Sequence, residues 1–149
     1  MERLILEAKK ASKNAYIPYS NFPVGASIKT KDGKYYFGCN IENASYGLTN
    51  CAERTCLFSA YASGVKKEDI VMMCVYSPKN HLVSPCGACR QVMSELLPSN
   101  CDIILAYGEN NVMHTTMKEL LPLSFTSEDM DNDKGSNSFI VVCITLFSP

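Results

Sequence analysis

Three cysteines of this chain stand where a thiol can do more than pack. Pro85-Cys86-Gly87-Ala88-Cys89 places two of them three positions apart at a helix start, and Cys51 opens another predicted helix. Unpaired N–H groups in a first helical turn stabilise thiolates, and the thiolate is the form that binds a metal. Three thiolates from two neighbouring helix starts fill three corners of a tetrahedron. The fourth corner stays open to water, as in catalytic zinc sites. Glu53 follows two residues after Cys51. In mid-helix that spacing sends two side chains to opposite faces, but in the first turn both reach past the helix end into one pocket. A carboxylate beside an activated water, and not itself a ligand, suits a general acid/base.

A lone Cys-x-x-Cys also fits a redox pair or half of a structural four-ligand zinc site. No β-α unit of thioredoxin type leads into this one. A structural site needs a fourth ligand, with Cys39, Cys56, His81 and His114 on offer. Neither histidine has metal-type spacing, and Cys56, five positions after Cys51, turns to another helix face. Cys74, Cys101 and Cys143 lie in or beside apolar runs, where free cysteine serves as a small hydrophobe.

The elements that must position these groups follow from periodicity. Residues 3–15 predict a helix with Leu4, Ala8, Ala11 and Ala15 on one stripe, ended before Pro18. Residues 24–30 and 34–40 predict a hairpin around Asp32-Gly33. A second helix spans 51–63 and stops at Gly64. Residues 69–76 are an apolar run of strand length, buried on both faces. Pro85 opens a third helix, 86–97, which Pro98 stops. Strands follow at 101–107 and 111–117, with a helical turn at Met117–Leu121. Strands alternating with helices predict an α/β fold, a mixed sheet with helices packed on it.

The 149 residues suffice for one domain with a real core, and 46% are hydrophobic, an ordinary globular share. The formal net charge is -1 and the 14 basic residues are dispersed. That argues against a nucleic-acid partner, which would call for a basic stripe. The start Met1-Glu2-Arg3-Leu4-Ile5-Leu6 turns charged at Glu7, Lys9 and Lys10, unlike a signal peptide. The longest apolar run, Phe139–Phe147, has nine residues where roughly 20 are needed to cross a bilayer. The expectation is a cytoplasmic protein with no membrane partner, in which cysteines serve metals before disulfides.

Cys51-Ala52-Glu53 at one helix start and Pro85-Cys86-x-x-Cys89 at another match the signature of the zinc base deaminases. The chain resembles the small, all-cysteine cytidine deaminases of nucleoside salvage from about Leu4 to Met130. The resemblance is carried by Tyr19-Ser20-Asn21-Phe22-Pro23-Val24-Gly25-Ala26, by Gly38-Cys39-Asn40-Ile41-Glu42-Asn43-Ala44-Ser45-Tyr46-Gly47, by Cys51-Ala52-Glu53-Arg54-Thr55, by Pro85-Cys86-Gly87-Ala88-Cys89-Arg90-Gln91, and by Glu119-Leu120-Leu121-Pro122. It implies a three-layer α-β-α fold, a five-stranded mixed sheet with helices on both faces. It implies one Zn²⁺ per subunit on Cys51, Cys86 and Cys89, with Glu53 as proton shuttle. It further implies that Phe22 stacks near the pyrimidine, that Asn40 and Glu42 hold ribose hydroxyls, and that Ala52 touches the substrate. Tyr46 and Phe125 match positions that neighbouring subunits contribute in a homotetramer. Arg54 is implied as a donor to ligand sulfurs, drawing off charge from a three-thiolate site that otherwise makes water less acidic.

Hydrolytic deamination of cytidine and deoxycytidine is therefore the expected activity. Deamination of another aminopyrimidine nucleoside, of the blasticidin type, and a non-catalytic zinc-stabilised binding module are the alternatives. Residues 1–130 are expected to form the deaminase-like domain. Residues 131–149 are an extension past the usual family end, beginning polar and finishing with Phe139–Phe147.

Overall fold

The computed structural model describes residues 1–130. The apolar run at 139–147 and the expected extension lie outside the described residues. Five strands form one mixed sheet: β1 (Gly25–Thr30), β2 (Tyr35–Cys39), β3 (Ile70–Ser77), β4 (Asp102–Tyr107) and β5 (Asn111–Thr115). Their order is β2-β1-β3-β4-β5, with β3 and β4 parallel and every other pair antiparallel.

Helix α1 (Glu2–Ser12) lies on one face of the sheet. There Leu4 and Ala8 meet Cys74 and Tyr76 of β3 and Ile104 and Ala106 of β4. Helices α2 (Ala52–Ala62), α3 (Gly87–Leu96) and the short α4 (Met117–Leu120) lie on the other. They bury Leu57, Ala60, Met93 and Leu120 against Met73, Val75, Ile103 and Leu105. The alternation of Met73 and Val75 with Cys74 and Tyr76 is the period of two that a doubly covered strand requires. The architecture is the expected three-layer α-β-α fold.

Two local features fix where α2 sits. Its C-terminal end turns through Gly64 at φ +90°, the left-handed conformation open to glycine at little cost. Its middle rests directly on β2 at Gly38, where an added Cβ would come within 2.8 Å of the Thr55 carbonyl carbon and closer still to the Cys56 nitrogen. The helix axis thus approaches the sheet closer than any side chain would permit.

Helix α1 ends at Ser12, three residues short of the expected 15. The cause is nonlocal. Tyr16 donates its N–H to Asn40 O at 3.0 Å and accepts from Glu42 N at 2.8 Å, forming a bridge with Ile41. Those bonds draw the chain out of the helix before its pattern runs out. The other elements fall within two residues of their predicted bounds.

Candidate active site

Cys51 is the residue capping the start of α2, and Cys86 the residue capping the start of α3. Cys89 sits in the first turn of α3 and is fully buried. Both caps have extended backbone, and neither start has a side-chain cap, so the first-turn N–H groups are directed at the sulfurs' surroundings. The three sulfurs all lie within 4.8 Å of one another, with Cys51 and Cys86 4.0 Å apart. Thiolates sharing a tetrahedral zinc at about 2.3 Å sit about 3.8 Å apart, so small side-chain adjustments close the cluster on an ion.

The cluster comprises these three cysteines alone among the described residues. Cys56 is buried on the sheet side of α2 and donates toward Tyr36 O at 3.5 Å. His114 pairs with Asp102 at 3.0 Å on β5. Among the described residues, therefore, no fourth protein ligand stands at the cluster, which favours the open-corner arrangement over a structural site.

The protonation states are graded. A hydrogen bond from the Cys89 thiol, with the Arg54 guanidinium beside it, outweighs burial and brings Cys51 down to about 5. Cys89, donating to Cys51 and buried, is pushed strongly up. Burial chiefly, with the Glu53 charge nearby, raises Cys56; burial holds Cys74 at about 12, and burial with the neighbouring Asp102 charge holds Cys101 there too. Among the described cysteines, only Cys51, Cys86 and Cys89 come together, while Cys56, Cys74 and Cys101 are buried as packing residues. Arg54 Nη2 donates to Cys51 Sγ and to Thr49 O, both at 3.4 Å, and its Nε is buried without a partner among the described residues.

A cleft of about 300 Å³ opens over the cluster. Cys51, Ala52, Glu53 and Cys86 line its cysteine end, and Phe22, Asn40 and Glu42 line the other. Glu53 is only 5% exposed, and burial raises its affinity for a proton. Asn40 accepts from Val24 N and donates to Phe22 O, both at 2.9 Å, so it pins the loop that presents Phe22. Glu42 Oε2 accepts from the N–H groups of Tyr19 and Ser20; the Ser20 side chain first, and then these N–H groups, lower its proton affinity.

Tyr46 and Phe125 do not join this cleft. Tyr46 is 75% exposed with its ring against Tyr19, and Phe125 is 57% exposed. Val83 and Ser84 do line it, though nothing in the pattern of residue types singled them out. Their signal is position: they immediately precede Pro85-Cys86. Arg90 was visible only as part of a motif, yet it holds that approach in place. Its Nε donates to Pro85 O at 2.8 Å, Nη1 to Leu120 O at 2.7 Å and Nη2 to Ser84 Oγ at 2.8 Å.

Residues 1–105 match the family model described as the cytidine and deoxycytidylate deaminase zinc-binding region. A cytidine deaminase of Halalkalibacterium halodurans is 50% identical over 131 residues, 88% of this chain and 98% of that protein. The crystal structure of cytidine deaminase from Burkholderia pseudomallei superposes with a TM-score of 0.80 at 48% identity, covering 83% of this chain and 98% of that one. That of Mycobacterium tuberculosis gives 0.72 at 34%, covering 84% of this chain and 96% of that one. With the family model matched over residues 1–105, 50% identity to a cytidine deaminase and this closeness of fold, the chain belongs to the cytidine deaminase family.

Proposed function

We propose that the protein hydrolyses cytidine and deoxycytidine to uridine and deoxyuridine with release of ammonia, using zinc held by Cys51, Cys86 and Cys89. The observation that carries this reading is the three-sulfur cluster at the floor of a cleft with a buried glutamate beside it. Zinc bound there supplies a Lewis acid that makes water nucleophilic near neutral pH.

The chain's own residues do the rest. Phe22 offers a ring face to the pyrimidine, and the remaining acceptor capacity of the Glu42 carboxylate with that of Asn40 receives the ribose hydroxyls. Glu53 takes a proton from the attacking water and delivers it to N3 as oxygen bonds to C4. It then carries the remaining hydroxyl proton to the C4 amino group. The C–N bond breaks, ammonia leaves and the C4 carbonyl remains. A carboxyl whose burial raises its proton affinity is suited to both halves of that relay.

The exposed positions of Tyr46 and Phe125 support a homotetramer in which each cleft is completed by neighbours. Among the described residues no helix is long and apolar enough to cross a membrane, which fits a cytoplasmic salvage role. The deciding measurement is ultraviolet-monitored loss of cytidine, with zinc content determined on the same sample and blasticidin S run in parallel. Turnover of cytidine and deoxycytidine with about one zinc per subunit is expected. Zinc without turnover of either nucleoside would overturn the reading.

A further inference from the structure

Helix α1 covers only part of its face of the sheet. It packs on β1, β2 and β3 and reaches Ile104 and Ala106 of β4. Strand β5 lies beyond it. Val112 pairs with Ala106 and His114 with Ile104, so both point to the α1 side, where no element covers them among the described residues. Between α1 and the β4–β5 hairpin runs a groove of about 580 Å³. Met1, Ile5 and Leu6 form one wall; Ala106, Tyr107 and Val112 form the other. Leu6 is 48% exposed and Val112 43%. Lys9, donating to Glu109 O and standing over the Tyr76 ring, joins the two walls at one end.

We infer that this groove is the seat of the chain's own segment Phe139–Phe147. The composition of that segment fits an apolar groove: nine residues, none charged, seven of them Phe, Ile, Val or Leu. Its attachment fits as well. Residues 131–138 form a polar spacer that spans up to about 28 Å when extended, close to the width of a small domain. Tethering holds the segment at an effective concentration in the millimolar range, so even weak apolar contact keeps it seated. The Halalkalibacterium halodurans relative uses 98% of its length in matching 131 residues here. The added apolar segment and the uncovered apolar surface thus occur in one chain, and each removes the other's exposure to water.

Hydrogen exchange followed by mass spectrometry tests this on the full-length, zinc-loaded protein. Amides of 139–147 are expected to exchange at least about tenfold more slowly than in a Leu6→Asp/Val112→Asp variant. Reciprocally, Ile140→Asp/Leu146→Asp is expected to speed exchange at 2–9 and 111–113. Cytidine turnover is expected to stay at the parent value in both variants, reporting an intact fold. Should the groove pair disturb folding, the tail pair supplies the readout, because it alters neither wall. Unprotected amides at 139–147 in the parent, or protection that survives the groove substitutions, overturn the inference. Protection that grows with protein concentration also overturns it, by assigning the groove to a second copy of the chain.

Discussion

Arg54 Nη2 lies 3.4 Å from Cys51 Sγ and equally far from Thr49 O, which ties the guanidinium to one sulfur of the cluster and to the loop leading into α2. The planar fork thus has both an electrostatic target and an anchor. Arg54→Ala is expected to lower kcat about 10–100-fold, the usual range for loss of a partner to a metal ligand. The fold is expected to persist in circular dichroism. Unchanged kcat would sink the charge-withdrawal role.

The same contact predicts a pH signature in metal-free protein. A thiol alkylates as its thiolate, the form present above its pKa. With Cys51 held at about 5, its modification by iodoacetamide should rise through that pH and level off by neutrality. Cys74 and Cys101, at about 12, should stay silent over that interval. Peptide mapping reads each site separately. Without Arg54 the Cys51 inflection should move to higher pH; an inflection in the ordinary thiol range in the parent contradicts the assignment.

Glu53→Gln keeps the shape of the buried side chain and removes its ability to carry a proton. Zinc content should match the parent while turnover falls about 10²–10⁴-fold. Measuring both on one sample separates a lost proton carrier from a lost metal. Parent-like turnover would exclude Glu53 as the relay.

The Arg90 fork makes three bonds to Pro85, Leu120 and Ser84, and a lysine has no planar fork with which to repeat them. Arg90→Lys is expected to lower zinc affinity about 10–100-fold in a chelator competition, through a loosened approach to Cys86. Parent affinity would mean that Pro85 alone fixes the helix start.

Much of this was legible in local sequence because its causes are local. Pro85 and the thiols at 51 and 86 mark helix starts, and a helix start is where the structure places both caps. The continuous apolar run at 69–76 marks a strand covered on two faces, and β3 lies there. What escaped had its cause elsewhere in the chain. The early end of α1 depends on the Tyr16 bridge to Ile41, and the presentation of Phe22 on Asn40, 18 residues away. Arg90's role depends on Leu120, 30 residues away. Tyr46 and Phe125 lie outside the cleft of one chain, and a role in a neighbour's cleft depends on the proposed tetramer.

Gly38 is a further test of how the sheet sets the site. Gly38→Ala puts a methyl group into the backbone of α2 at Thr55 and Cys56, and backbone moves only if the helix moves. A loss of about 1–3 kcal/mol or more is expected in denaturant unfolding, with weakened zinc retention because Cys51 heads the displaced helix. Parent-like stability would show that α2 shifts freely on β2.

The spacing of the three sulfurs along the chain has a mechanical side. Cys51 and Cys86 stand 35 residues apart, with α2 and β3 between them. An ion shared by these sulfurs is therefore a cross-link that closes a long loop, much as a disulfide does. By loop-closure entropy such a tie disfavours the unfolded chain by roughly 4 kcal/mol if it persists there. An ion bound there would act as a rivet between two helices as well as a reagent, and chelation should loosen the α2–α3 face before the face on which α1 packs.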